Sequence, residues 1–118
     1  MERPRVIGVT VLTSIAPQGN VLDTVLERAR EAASAGIDGV VCSPREVGKV
    51  KRLHGERLLA VVSGIRLPDQ QANDQARSGT PGQAAADGAD FLVIGRSVTA
   101  SENPRAMLDR ILEEIENA

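Results

Sequence analysis

The sequence has 118 residues, 42% of them apolar and 25% charged, with a formal net charge of −2 at neutral pH. That is enough for one domain with a real core, and about half of the ~250 residues usual for a parallel (β/α)8 barrel. The balanced charge carries no basic stripe for nucleic acid, no apolar run approaches the ~20 residues of a membrane span, and a lone Phe91 excludes aromatic stacking platforms. Single copies of Cys42 and His54 supply neither an intrachain disulfide nor a four-ligand zinc site. Met1-Glu2-Arg3-Pro4-Arg5 leads straight into a strand-like run without a signal peptide. The expectation is a cytoplasmic domain that needs no cofactor.

In chain order, Val6-Ile7-Gly8-Val9-Thr10-Val11-Leu12 reads as the first strand. A helix follows over Val21–Ala35, with Val21, Leu22, Val25, Leu26, Ala29, Ala32 and Ala33 forming one apolar stripe. Gly39-Val40-Val41-Cys42 is the second strand, and Ser43-Pro44 opens a helix over residues 44–53 as a cap followed by a first-turn proline. Leu58-Leu59-Ala60-Val61-Val62 is the third strand. Thr80-Pro81 starts another helix in the same manner, and Phe91-Leu92-Val93-Ile94 is the fourth strand. The last helix covers residues 104–117, with Met107, Leu108, Ile111, Leu112 and Ile115 on one face. The strands are continuously apolar and do not alternate with polar residues, which marks a parallel sheet.

An internal repeat agrees with this order. Ala35-Gly36-Ile37-Asp38-Gly39-Val40-Val41 resembles Asp87-Gly88-Ala89-Asp90-Phe91-Leu92-Val93. In each, glycine closes a helix and an aspartate leads into a strand, which is also the ordinary grammar of αβ turns. The fold class is therefore α/β: a (βα)4 half of a TIM (β/α)8 barrel spanning residues 1–118, with parallel strands in sequential order. Right-handed crossovers then put every helix on one side of the sheet. A doubly wound order, covering both sides, is the structural alternative. A bare side of ~500 Å² corresponds to on the order of 12 kcal/mol of burial per chain before association costs. Such a side predicts a homodimer through the open inner sheet face.

Ligands of parallel α/β folds gather at the C-terminal ends of strands. Here those ends read Leu12-Thr13-Ser14, Cys42-Ser43-Pro44, Ser63-Gly64-Ile65-Arg66 and Gly95-Arg96-Ser97. Hydroxyls, glycines and arginines suit an anion, and a small phosphate ester is the natural candidate. The third loop runs from residue 63 to 79, long enough for a lid or binding loop. Asn73-Asp74-Gln75 lies within it.

These segments carry a family resemblance. Val9-Thr10-Val11-Leu12-Thr13-Ser14, Asp38-Gly39-Val40-Val41-Cys42-Ser43, Gly64-Ile65-Arg66, Asp74-Gln75 and Ile94-Gly95-Arg96 resemble, in order, the C-terminal half of orotidine 5′-monophosphate decarboxylases. Gln75 lies nine positions after Arg66, and Gly95 twenty after Gln75, as in bacterial members. The resemblance implies that Gln75, Gly95 and Arg96 grip a 5′-phosphate, with Arg66 in the same loop. It implies that Thr13 and Ser14 touch the pyrimidine end. The chain departs from the family at Ser63, Leu67 and Asn73, where proline, proline and glycine are usual, and residues 15–20 form a shorter connection. The family's decarboxylating apparatus, an Asp-x-Lys-x-x-Asp stretch with a further Asp and Lys, has no counterpart here: no Asp-x-Lys occurs.

Three readings follow. The chain binds phosphate or a uridine-type nucleotide but is inactive alone. Alternatively it is a purely structural, self-associating half-barrel, or a lyase completed by a complementary N-terminal half-barrel.

Overall fold

A computed structural model describes residues 3–11, 21–67 and 78–118. Four strands, β1 (Ile7–Val9), β2 (Gly39–Cys42), β3 (Leu59–Val62) and β4 (Phe91–Leu92), form one sheet in the order β1-β2-β3-β4. All three pairings are parallel. The helices are α1 (Val21–Ala35), α2 (Val47–His54), α3 (Pro81–Ala86), α4 (Arg96–Thr99) and α5 (Pro104–Glu116). A 3-10 turn, Gly55–Arg57, follows α2. This is the sequential half-barrel order, and the doubly wound alternative is set aside.

Side-chain alternation along the strands gives the sheet two unlike faces. Val40, Cys42, Ala60 and Val62 are buried in one core with Val25, Ala29, Ala32 and Ala33 of α1 and Val47 and Val50 of α2. On the other face Val9, Val41, Val61 and Phe91 lie side by side in register. Val9 is 57% exposed, Phe91 51% and Val93 52%. One register step lower, Gly39 makes room for its neighbours. A Cβ there would come within 2.7 Å of the Leu59 Cβ and 3.1 Å of the Ile7 Cδ1.

The two repeated αβ turns are the same device built twice. Gly36 (φ 84°) and Gly88 (φ 106°) end their helices in left-handed geometry that only glycine adopts freely. Behind them, Ile37 N–H donates to the Ala32 carbonyl (3.0 Å) and Ala89 N–H to that of Ala84 (3.0 Å). The aspartates then clasp the preceding strand. Asp38 accepts from Val6 N–H at 2.7 Å, and Asp90 from Ala60 N–H at 2.9 Å. Each carboxylate also holds a cation: Arg3 on Asp38 and Lys51 on Asp90, both at 2.8 Å.

Several boundaries differ from those the sequence suggests. β1 ends at Val9, and beyond it the Thr10 N–H (3.4 Å) and the Thr10 hydroxyl (2.6 Å) both donate to the Val41 carbonyl. β4 is shorter than the apolar run that suggests it, with two residues paired to β3 alone. The second helix begins at Val47, not at residue 44, since Pro44, Arg45 and Glu46 form a turn in which the Arg45 and Glu46 N–H groups bond back to Ser43. Thr80 and Asn103 do cap α3 and α5, accepting from Gln83 N–H (3.2 Å) and Ala106 N–H (3.1 Å). On α5 only Ile111 is fully buried, and Leu108 and Leu112 stay exposed because α5 packs on α3 and α4 past the last strand. Leu12, Thr13, Ser14, residues 15–20, Asn73, Asp74 and Gln75 lie outside the described residues.

Candidate functional site

The C-terminal ends of the strands form a polar rim linked from loop to loop. After β1, the Thr10 side chain is buried against the second strand, and the Arg28 guanidinium of α1 donates to the Thr10 carbonyl. After β2, Ser43 and Glu46 are both buried and face each other. Ser43 N–H donates to one carboxylate oxygen at 3.1 Å, and the Ser43 hydroxyl donates to the other. The Ser43 oxygen in turn accepts from Arg45 N–H at 3.2 Å. A carboxylate is costly to bury without such donors.

After β3 the chain turns at Gly64, whose φ is 79°. A single parallel bridge joins Ile65 to Gly79. Gly79 N–H donates to the Gly64 carbonyl (3.1 Å) and Arg66 N–H to the Gly79 carbonyl (2.8 Å). Gly79 is pressed against Pro44 so closely that a Cβ would lie 2.5 Å from the proline Cβ, which couples this loop to the one after β2. After β4, Val93 N–H donates to the Val62 carbonyl at 2.8 Å, and Gly95-Arg96 opens the short helix α4.

The third and fourth loops meet at one atom. The Ile65 carbonyl accepts from the Arg66 guanidinium at 2.8 Å and from the Ser97 hydroxyl at 3.4 Å. Of the residues singled out from the sequence, Arg66, Gly95 and Arg96 are thereby gathered on one side of the rim. Arg66 is buried, whereas Gly95 and Arg96 are exposed. A Cβ on Gly95 would meet nothing within 4 Å among the described residues. Thr13, Ser14 and Gln75, the remaining three, lie outside the described residues.

Sequence reading missed the buried Ser43–Glu46 pair and the Ser97 link. The spacing Ser43-Pro44-Arg45-Glu46 is the Ser-x-x-Glu signature of a helix start, so the first was open to detection. The second had no local signal. Lys49 and Lys51 belong to α2, and Lys51 is committed to the opposite end of the sheet, on Asp90 and on the Leu58 carbonyl (3.1 Å). Among the described residues no group of three or more His, Cys, Asp or Glu side chains could hold a metal ion. No helix among them is long and apolar enough to cross a membrane.

Parallel strands in sequential order, helices on one side and a polar rim at the strand tips define half of a (β/α)8 barrel. A family model described as orotidine 5′-phosphate decarboxylase / HUMPS matches residues 2–111. The chain belongs to that family. It is 45% identical over 122 aligned residues to the orotidine 5′-phosphate decarboxylase of Methylorubrum extorquens, covering 97% of this chain and 53% of the relative. The corresponding protein of a Geobacillus species is also 45% identical, over 96% of this chain and 51% of the relative. The crystal structure of the Lactobacillus acidophilus enzyme superimposes with a TM-score of 0.75 at 34% identity, covering 98% of this chain and 50% of the other. The chain therefore spans about half the length of the relatives it matches.

Proposed function

We propose that this chain is the phosphate-gripping half of a decarboxylase barrel, which binds a phosphate ester such as a uridine nucleotide and does not decarboxylate without a complementary N-terminal half. The observation that carries this reading is the junction at the Ile65 carbonyl, which brings Arg66 and the Gly95-Arg96 turn to one side of the rim. A guanidinium offers a forked pair of donors that matches phosphate oxygens. An exposed glycine lets an oxyanion approach backbone N–H groups without a side chain in the way. Gln75, nine positions beyond Arg66, would add an amide donor, and Thr13 and Ser14 would meet the base end. The name shared by the relatives supports the ligand class, since their substrate carries a 5′-phosphate. The absence of any Asp-x-Lys in the sequence supports inactivity alone. Loss of CO₂ leaves a carbanion-like centre that needs a positioned cation and proton donor.

Titration calorimetry with inorganic phosphate and with uridine 5′-monophosphate tests the binding. Arg96→Ala should weaken it by roughly 1.5–3 kcal/mol, the scale of a charge-assisted hydrogen bond. Unchanged affinity would refute the assignment. Release of CO₂ from orotidine 5′-phosphate by this chain alone would refute the inactivity. Release only after mixing with the N-terminal half of a relative would support the completed-barrel form.

One observation favours a second, purely structural reading. Arg66 is buried and bonded to the carbonyl of its own neighbour, as a residue that holds a loop in shape would be. Under that reading Arg66→Ala lowers the melting temperature and neither phosphate nor nucleotide gives a binding heat.

A further inference from the structure

Glu46 is the only buried carboxylate among the described residues, 3% exposed beyond the tip of β2. It stands directly before α2, yet its side chain caps none of that helix's N–H groups. It turns back instead. One carboxylate oxygen accepts from Ser43 N–H at 3.1 Å, and the other accepts from the Ser43 hydroxyl. The Glu46 and Val47 N–H groups donate to the Ser43 carbonyl at 3.1 and 3.2 Å, which closes the turn from the backbone side. A carboxylate at the surface could tie the same turn without losing its water. Its burial therefore points to what the turn encloses.

That residue is Pro44, itself buried, whose ring fixes its own backbone angle. Pro44 packs directly on Gly79: a Cβ there would fall 2.5 Å from the proline Cβ and 3.0 Å from its Cγ. The φ of Gly79 lies outside the left-handed region, so space alone demands glycine at this point. Gly79 in turn accepts from Arg66 N–H at 2.8 Å and donates to the Gly64 carbonyl at 3.1 Å. Between those two bonds sits Ile65, whose carbonyl takes the Arg66 guanidinium and the Ser97 hydroxyl. Arg96 is the residue before Ser97. We propose that Glu46 is a positioning residue for the anion-binding rim. By fixing Ser43 and Pro44 it sets Gly79, and through Gly79 the backbone from Gly64 to Arg66 that joins the third and fourth loops. Glu46 acts only through these neighbours and meets no ligand itself. The linkage rests on geometry, and its effect on a ligand rests on the phosphate reading of the rim.

Amide hydrogen exchange in the whole 118-residue chain reads the linkage with no ligand present. In Glu46→Ala, the Gly79 and Arg66 N–H groups should exchange about tenfold faster than in the native chain. That gain should exceed any change at the Leu59 and Asp90 N–H groups, which are hydrogen-bonded at the lower end of the same sheet. An equal change at all of them is a general loss of stability and overturns the proposal. Should Glu46→Ala fail to fold, Ser43→Ala, which removes only the hydroxyl donor, should show the same contrast. Approached from the other side, Gly79→Ala drives a methyl group against Pro44. Its drop in melting temperature should be about halved in a Glu46→Ala background, where the turn can give way. Additive drops overturn the link through Pro44. Calorimetry with inorganic phosphate and with uridine 5′-monophosphate, well below the melting temperature, reads the consequence. Glu46→Ala should bind about fivefold more weakly than the native chain. Equal affinity overturns the positioning role and leaves the phosphate reading standing. Binding of neither ligand by the native chain overturns the phosphate reading, and the exchange contrast then decides the linkage alone.

Discussion

At the N-terminal ends of the strands, two αβ turns repeat the same contacts. At the C-terminal ends, no two of the described loops are alike. Below the sheet, Gly36 and Gly88 close helices, and Asp38 and Asp90 clasp backbone N–H groups and cations in equivalent ways. Above it, one loop uses a buried Ser43–Glu46 pair, another a lone bridge between Ile65 and Gly79, and the last an exposed Gly95-Arg96 turn. The repeated end stabilises the scaffold, and the varied end is free to specialise. In parallel barrels the same division separates stability from chemistry.

Changes at the lower end should therefore cost stability and leave ligand binding intact. The largest effect is expected from Gly39→Ala, whose new Cβ would lie 2.5 Å from the Leu59 carbonyl oxygen. Backbone cannot yield there cheaply, and a loss of about 3 kcal/mol should appear in urea denaturation. Next comes Asp90→Ala. It leaves the Ala60 N–H without its acceptor and Lys51 without its partner, for about 2 kcal/mol. Asp90→Asn keeps an acceptor and should lose about half as much. By contrast, Arg96→Ala at the exposed rim should change stability by no more than about 0.5 kcal/mol. A stability loss at Arg96 as large as at Asp90 would erase the distinction between the ends.

The smallest effect is a pH dependence. Hydrogen bonds from the Arg3 guanidinium, then from Val6 N–H, lower the Asp38 carboxyl from 3.8 to about 2. A depressed carboxyl adds stability that is fully present above its unfolded value and is lost as pH falls through its folded one. Between pH 3.8 and about 2, the melting temperature of the native chain should thus fall more steeply than that of Asp38→Asn. Parallel curves for the two would remove Asp38 from the clasp. Asp90 follows the same sign. Burial pushes its carboxyl up, but the Lys51 and Ala60 hydrogen bonds and the Lys51 charge outweigh that, and the net shift is downward.

How much of this could be read from the sequence depends on how local each feature is. The αβ turns were legible because glycine and aspartate act within seven residues of each other, and the repeat at 35–41 and 87–93 has the same contacts in space. The parallel sheet was legible because buried parallel strands are apolar throughout, whereas that pattern left the strand order open between a sequential and a doubly wound arrangement. Helix α4 was not, since four residues carry no periodicity. Nor was the exposure of Leu108 and Leu112, because a stripe of helical spacing reports an apolar face and not what lies against it. At the rim, Arg66, Gly95 and Arg96 came from resemblance to a family, and the chain's membership of that family is now established. Their meeting through the Ile65 carbonyl depends on two loops thirty residues apart in sequence, which no local pattern encodes.

The Ile65–Gly79 bridge has a consequence for how such a molecule changes over time. Because the polypeptide departs from the sheet and rejoins it at one hydrogen-bonded point, whatever is spliced between those residues forms a closed excursion. Lengthening it twofold adds only about 0.6 kcal/mol of closure entropy. The bridge thus fixes both ends of that connection, and an insertion between them is expected to leave the register of the four strands unchanged, which the far-ultraviolet spectrum and melting temperature of a lengthened variant would check.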